Sequence, residues 1–130
     1  MDKEVIMNPL SEKKREELAT EIFEFLVKHN LWVDVRIYFN GKYWGTHNPT
    51  TDEYYYNEHK YYEGIADPRD YFEYVREPEN LLSMSFEGPL YEVLNGYAGY
   101  KLEEQFNKIF DKYGLYYELG HAWNLTACEG

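Results

Sequence analysis

The sequence predicts an α+β fold in a single domain, residues 1–130, in which an antiparallel sheet of hairpins packs against two main helices. Apolar residues recur at helical spacing over about residues 10–29 and again over about 100–113, and they alternate with polar residues in several stretches elsewhere. The chain has 130 residues and 44% hydrophobic content, which suits one ordinary core. No linker, internal repeat or low-complexity tract divides it.

The first predicted helix spans about residues 10–29. Leu18, Ile22 and Leu26 share one face of it, and two candidates for its N-cap precede it, Asn8 in the turn-like Asn8-Pro9 and Ser11. Its remaining positions alternate basic and acidic residues, which is typical of a solvated helix face. The apolar face should therefore pack on the sheet.

A β-hairpin is predicted between residues 32 and 48. Val35, Ile37 and Phe39 alternate with polar residues, and Asn40-Gly41 favours a type I′ turn. Because a two-residue loop fixes the register, the pattern pairs Phe39 with Lys42 and, further out, Asp34 with His47.

Residues 52–80 hold seven tyrosines and nine acidic residues. The tyrosine runs 54–56 and 61–62 flank four polar residues and predict a second hairpin. Asp67-Pro68 indicates the start of a short helix that ends near Tyr74. Residues 82–86 then alternate as a strand.

The remaining elements follow the same two periodicities. Gly88-Pro89 predicts a short helix through Leu94, and the second main helix spans about residues 100–113, with Gly114 as its C-terminal stop. One last strand is predicted from Leu115 to about residue 128, with a possible bulge at Gly120.

Charge is the most informative property for function. Residues 1–51 carry eight acidic and seven basic residues, whereas residues 52–130 carry sixteen and six, so nearly all of the net charge of −11 lies in the second part. Such a field steers association toward a basic partner and repels nucleic acid. A single cysteine, Cys128, allows no intramolecular disulfide. Residues 1–9 lack an apolar leader and no membrane-length apolar run occurs, so we expect a soluble cytoplasmic protein.

Enzymatic signatures are absent from the sequence. It contains no glycine-rich phosphate loop, no Gly-x-Ser-x-Gly elbow and no His-Glu-x-x-His. His47 opposite Asp34 could orient an imidazole as a general base, although an exposed polar pair is the commoner explanation. The alternative to a binding protein is therefore a small enzyme or ligand-binding domain, whose aromatic pocket, lined by Trp44 and Trp123, uses His47 or His121 with a carboxylate.

Neither a metal nor a cofactor is predicted. His59 and Glu63 are four residues apart and would converge on a metal only in a helix, whereas the surrounding tyrosines favour a hairpin. Asp67, Asp70 and Glu73 lack the spacing and the glycine of an EF-hand loop.

Tyrosines and carboxylates together suggest a docking face for a basic protein. Tyrosine is enriched at protein interfaces, and carboxylates attract basic grooves. The candidate partner-binding residues are Glu53, Tyr55, Tyr62, Glu63, Asp70, Tyr71, Glu73, Tyr74 and Glu77. Ten net charges match about 17 Å of duplex, which is the scale of a DNA mimic. Two other interpretations stay open: the tyrosines fill the sheet while the acids serve solubility, or an exposed aromatic face forms a homodimer.

Three segments are distinctive together: LWVDVRIYFNGKYW, LLSMSFEGPLYEVLNGY and KLEEQFNKIFDKYGLYYELGHAWNLTAC. They resemble small accessory proteins carried by conjugative elements and phages of gut bacteria. The resemblance brings no catalytic residues, but it implies a setting in which small acidic proteins block restriction or CRISPR enzymes. It does not extend to the established anti-restriction family of DNA mimics. The sequence as a whole therefore predicts a non-enzymatic binding protein that inhibits a basic, nucleic-acid-handling partner, with no direct contact to nucleic acid or membrane.

Overall fold

The fold is built on a six-stranded antiparallel sheet that carries helices on one face. The computed structural model describes residues 10–66, 81–97 and 99–129. Its strands are β1 (Val35–Phe39), β2 (Lys42–Gly45), β3 (His47–Asn48), β4 (Glu53–Tyr54), β5 (Tyr62–Ile65), β6 (Ser83–Phe86), β7 (Leu115–Leu119) and β8 (Asn124–Glu129). The main sheet has the order β5-β2-β1-β6-β8-β7, and β3 and β4 form a separate ribbon. The predicted α+β class is confirmed.

Three helices accompany these strands: α1 (Glu12–Lys28), α2 (Pro89–Leu94) and α3 (Lys101–Asp111). All three lie where the sequence predicts them. The hydroxyl of Ser11 accepts a hydrogen bond from the backbone N–H of Lys14 at 3.1 Å, which caps α1. None of the helices in the described part of the chain is long and apolar enough to cross a membrane.

The main core lies between the helices and one face of the sheet. Ile22 and Leu26 of α1 and Phe106 and Phe110 of α3 are buried there, as the helical stripes predict. The sheet contributes the buried side chains of Ile37, Phe39, Trp44, Met84, Phe86 and Leu125. Alternation along the strands sends the remaining side chains to the opposite face.

A second, smaller cluster occupies that opposite face. Tyr38, Tyr43 and Ala66 are buried in it, with Tyr62 half-buried beside them. The Tyr43 ring fills the space over Gly64, where a Cβ atom would lie 2.4 Å from Cε1 of the ring. The guanidinium carbon of Arg36 lies 4.6 Å from the centre of the same ring, which is a cation–π distance. Small residues and closely packed aromatic rings thus make this face compact.

The first hairpin confirms the predicted turn and most of the register. Asn40 and Gly41 have φ angles of 52° and 77°, and Phe39, Tyr38 and Ile37 pair with Lys42, Tyr43 and Trp44. The predicted pairing of Asp34 with His47 is wrong. Asp34 turns away from the strand with a φ of 56°, and His47 pairs with Tyr54 in the ribbon.

The second predicted hairpin is also wrong, because its two arms pair with other strands. Tyr54 pairs with His47, whereas Tyr62 pairs with Gly45. Between them the chain is tied to Trp32, whose backbone N–H donates to Oδ1 of Asn57 at 3.1 Å and whose indole N–H donates to the carbonyl of Lys60 at 3.0 Å. These long-range bonds hold the segment as a loop.

The single strand predicted from Leu115 onward is two strands, β7 and β8, joined by a turn. The amide oxygen of Asn124 accepts from the backbone N–H of His121 at 2.8 Å and closes this turn. His121 is exposed in the turn and not half-buried in a strand. The helix predicted between Pro68 and Tyr74 lies outside the described residues.

Glu21 joins α1 to the end of α3 and supplies a testable contribution to stability. Its carboxylate accepts hydrogen bonds from Nζ of Lys112 at 2.7 Å and from the hydroxyl of Tyr113 at 2.5 Å. Burial opposes ionisation of this carboxyl, but the two hydrogen bonds outweigh burial, and the pKa of Glu21 lies below its ordinary value. The charged form is therefore favoured by folding.

We expect Glu21→Gln to lower the free energy of unfolding at neutral pH by about 1 kcal/mol. A lowered folded-state pKa contributes stability above the unfolded-state pKa of about 4.3, and the contribution is lost as the pH falls below that value. Urea unfolding from pH 7 down to acidic pH measures the difference. Glu17→Gln is the control, since Glu17 forms an exposed ion pair with Lys14 at 3.3 Å and, within the described residues, no hydrogen bond to α3 or to Tyr113. An equal loss for both variants, or a loss that persists in acid, would contradict the assignment.

Candidate binding site

A concave site of about 470 Å³ opens at one end of the sheet, on the face opposite the helices. Its lining combines two carboxylates, Asp34 and Glu87, with two groups that can carry positive charge, Arg36 and His47. The aromatic side chains of Tyr38, Tyr54 and Trp123 also line it. Carboxylates and aromatic rings thus meet in one cavity.

Sheet topology brings the two carboxylates together. Val35 of β1 pairs with Phe86 of β6, so the residue before β1 and the residue after β6 become neighbours. The backbone N–H of Glu87 donates to the carbonyl of Asp34 at 3.1 Å. Next to them, Gly88 lies so close to Val33 that a Cβ atom at position 88 would be 2.3 Å from the Val33 carbonyl oxygen. This close approach keeps Asp34 and Glu87 side by side.

Neither carboxylate has an ion-pair partner among the residues that the structure describes. Oδ1 of Asp34 accepts a hydrogen bond from the hydroxyl of Tyr56 at 2.5 Å. This hydrogen bond, together with burial, raises the pKa of Tyr56 to about 12, so the phenol keeps its proton at neutral pH. Glu87 is exposed and forms no side-chain hydrogen bond within the described ranges. Two neighbouring negative charges therefore lack a counter-cation from this part of the chain.

Exposed aromatic rings flank the carboxylates on both sides. On the ribbon side, Tyr54 is 50% exposed and stacks on His47 with ring centres 4.5 Å apart. On the β8 side, Trp123 is 40% exposed and stacks on His121 at 5.3 Å. Each ring is thus backed by an imidazole, which holds it in place at the edge of the cavity.

The two groups of the lining that can carry positive charge are engaged with other partners. The guanidinium of Arg36 stacks on Tyr43, as described above. Nε2 of His47 lies 2.8 Å from Oδ1 of Asp52, outside the cavity lining. Within the described part of the chain, neither Arg36 nor His47 forms an ion pair with Asp34 or Glu87. Arg36 and His47 therefore leave the two carboxylates unpaired within the described part of the chain.

The four predicted partner-binding residues that the structure describes, Glu53, Tyr55, Tyr62 and Glu63, do not form one surface. Glu53 is exposed on β4, but Tyr55 is only 6% exposed and offers no anchor area. Tyr62 packs on Tyr43 at 6.0 Å, and Glu63, the next residue of β5, accepts from the indole N–H of Trp44 at 2.9 Å on the opposite face. The other five residues, Asp70, Tyr71, Glu73, Tyr74 and Glu77, lie outside the described residues.

The aromatic pocket of the alternative hypothesis is partly present. His47 and Trp123 line the cavity, but Trp44 is buried on the helical face and cannot contribute to it. The sequence pattern indicates Asp34 only as a partner of His47 and does not single out Glu87 or Tyr54 for binding. The available signal was that Asp34 and Glu87 each border an alternating apolar strand.

The remaining histidine candidate has a structural partner. Nε2 of His59 lies 2.6 Å from Oε2 of Glu24, and Glu63 is bonded to Trp44, so these two side chains do not converge. Within residues 10–66, 81–97 and 99–129, no group of three His, Cys, Asp or Glu side chains is arranged to hold a metal ion.

The described carboxylates are distributed over several surfaces. Acidic residues lie along α1 and α3 on the helical side of the sheet, and others lie around the cavity on the opposite side. The acidic surface of the described residues is thus not one continuous ridge. The cavity is a local concentration of carboxylates and aromatic rings.

No family model, curated protein or solved structure matches this chain. The fold and the site define a small α+β domain with a cavity lined by carboxylates and aromatic rings.

Proposed function

We propose that the protein is a non-enzymatic binding protein that recognises a basic protein partner through the cavity at Asp34 and Glu87. The observation that carries the proposal is the pair of adjacent carboxylates that have no counter-cation among the described residues, flanked by the exposed rings of Tyr54 and Trp123. Aromatic side chains supply contact area with little loss of conformational entropy, and complementary charge gives specificity.

The net charge of −11 supports the same conclusion at longer range. A strongly negative protein attracts a positively charged partner before contact and accelerates association. Since salt screens such steering, affinity and association rate should fall with ionic strength. Charge brings the partner close, and the cavity selects how it docks.

The partner class follows from the resemblance to accessory proteins of mobile elements. It makes restriction and CRISPR nucleases the first partners to test, since their DNA-binding channels are basic. The carboxylates of the described residues lie on several faces, so we place recognition in the cavity and not in an extended imitation of the DNA backbone. Inhibition would follow from occupation of the channel entrance.

A second candidate function is binding of a small polar ligand in the same cavity. It is favoured by one observation, that His47 lines the cavity while its Nε2 lies 2.8 Å from the carboxylate of Asp52. A carboxylate in this position can orient the imidazole toward a ligand. His47→Gln should then abolish ligand binding, whereas docking of a basic partner should tolerate this change.

We expect the double variant Asp34→Asn, Glu87→Gln to bind a basic nuclease about tenfold more weakly than the parent protein. Binding is measured by titration against a panel of purified restriction and CRISPR nucleases at low and at high salt, with DNA cleavage as the second readout. The matched control, Glu104→Gln with Asp111→Asn, removes the same two charges from the exposed side of α3. Equal weakening by both double variants would overturn the role of the cavity, and lack of binding to every basic partner would overturn the proposed function.

A further inference from the structure

We propose that the occupant of the cavity is a single arginine side chain of the partner, a specialisation that rests on the proposed function. The cavity offers the two elements that arginine recognition uses, namely carboxylate oxygens and exposed aromatic rings. A guanidinium is planar and stacks on aromatic faces, and its N–H groups form a rigid fork that matches carboxylates.

The distribution of free acceptors favours arginine over lysine. Tyr56 occupies Oδ1 of Asp34, which leaves Oδ2 of Asp34 and both oxygens of Glu87 without a hydrogen-bond donor among the described residues. An ammonium group has three donors, as many as there are free acceptors here, but it is a compact point charge, whereas a guanidinium presents five donors in a rigid planar fork that matches carboxylate geometry. Several charge-assisted hydrogen bonds can then form at once.

The rings at the two edges supply the stacking surfaces. Tyr54 and Trp123 lie on opposite sides of the carboxylates, and each stacks on an imidazole, His47 or His121. A ring held in this way loses little freedom when a cation stacks on it. Cation–π attraction is largest over tryptophan, so Trp123 should contribute more than Tyr54.

The protein contains an internal example of the same interaction beside the cavity. Arg36 also lines it, and its guanidinium carbon lies 4.6 Å above the ring centre of Tyr43 on the same face of the sheet. The incoming arginine would stack on an aromatic ring in the same way, and its guanidinium would also contact the carboxylates of Asp34 and Glu87. The positive charge of Arg36, turned toward Tyr43, would then limit the cavity to one incoming cation.

The test uses three short peptides that differ at one central residue, arginine, lysine or citrulline, the last being an uncharged relative of arginine. The parent protein is titrated with each, and binding is followed by NMR through the indole N–H signals of the three tryptophans. Trp32 and Trp44 are buried and serve as internal references for Trp123. We expect the arginine peptide to move the Trp123 signal with a Kd on the order of 1 mM. The lysine peptide should bind about fivefold more weakly, and the citrulline peptide should leave the signal unchanged.

Variants separate stacking from charge. Trp123→Leu should weaken binding of the arginine peptide by about tenfold and Tyr54→Leu by about fivefold, whereas Tyr54→Phe, which keeps the ring, should stay within about twofold of the parent. Amide spectra verify that each variant is folded, and the amide signals of the cavity residues report binding to Trp123→Leu, which lacks the Trp123 indole.

The possible failures are distinguishable. Equal affinity for the arginine and lysine peptides overturns the arginine site. Folded Trp123→Leu and Tyr54→Leu variants that bind the arginine peptide as tightly as the parent also overturn it. In either case a salt-sensitive complex with a nuclease would still support the proposed function. Binding of citrulline as strong as that of arginine also overturns the arginine site. If neither charged peptide nor any basic nuclease binds, both proposals fail.

Discussion

Gly88→Ala is expected to lower the free energy of unfolding by about 3 kcal/mol. The added Cβ atom would lie 2.3 Å from the carbonyl oxygen and 3.1 Å from the carbonyl carbon of Val33. Both are backbone atoms, so the clash cannot be relieved by a side-chain rotation, and the chains entering β1 and leaving β6 must move apart. The same movement separates Asp34 from Glu87, so partner affinity should fall together with stability.

Urea unfolding followed by tryptophan fluorescence measures this loss. Gly96→Ala is the control, since position 96 has a φ of 85° and no heavy atom within 4 Å of its added Cβ atom. Its cost is limited to backbone strain of about 1 kcal/mol. A loss for Gly88→Ala no larger than that of the control would show that the close approach to Val33 does not matter.

Trp32→Ala is the second large effect, with an expected loss of about 4 kcal/mol. Trp32 is fully buried, its ring contacts Phe23 edge-on with centres 5.0 Å apart, and its indole N–H bonds the carbonyl of Lys60. Truncation removes the ring contacts, leaves a cavity and leaves that carbonyl without its donor. The loop that follows Tyr54 and carries Tyr56 would lose its attachment to the indole, whereas the two hydrogen bonds between Asn57 and the backbone of residue 32 would remain.

Two further variants bracket this prediction. Trp32→Phe keeps part of the volume but not the indole N–H, so its loss should be roughly half that of the alanine variant. Trp123→Phe changes an exposed ring and should stay within about 0.5 kcal/mol of the parent protein. Chemical unfolding of all three variants gives the ranking. A loss for Trp32→Ala close to that of Trp123→Phe would contradict the burial argument.

Elements that rest on local chemistry could be predicted from the sequence. The apolar stripes of α1 and α3 gave their positions, and Asn40-Gly41 determined both the turn and the register of β1 with β2. The second hairpin could not be predicted correctly, because long-range pairing of Tyr62 with Gly45 overrides a plausible local partner. Alternation continues on both sides of the turn before Asn124, so period-two patterning alone does not reveal the break between β7 and β8.

The candidate site depended still more on topology. Asp34 and Glu87 are remote in sequence and meet only because β6 pairs with β1, a fact that no local pattern encodes. The sequence did indicate the negative charge, and the alternative hypothesis placed Trp123 in an aromatic pocket. The sequence could not separate a surface position from a buried one for Tyr55, because tyrosine is common in both. In the structure the Tyr55 ring is buried and its hydroxyl accepts a hydrogen bond from the side-chain amide of Asn48 at 3.1 Å.

The juxtaposition of Asp34 and Glu87 carries a cost in stability. Two like charges repel each other, and Asp34 also adopts a left-handed backbone conformation that non-glycine residues seldom use. This corner is a point of local frustration, because like charges and a left-handed backbone coincide there. If the cavity binds a partner as we propose, recognition and stability are in conflict at this corner.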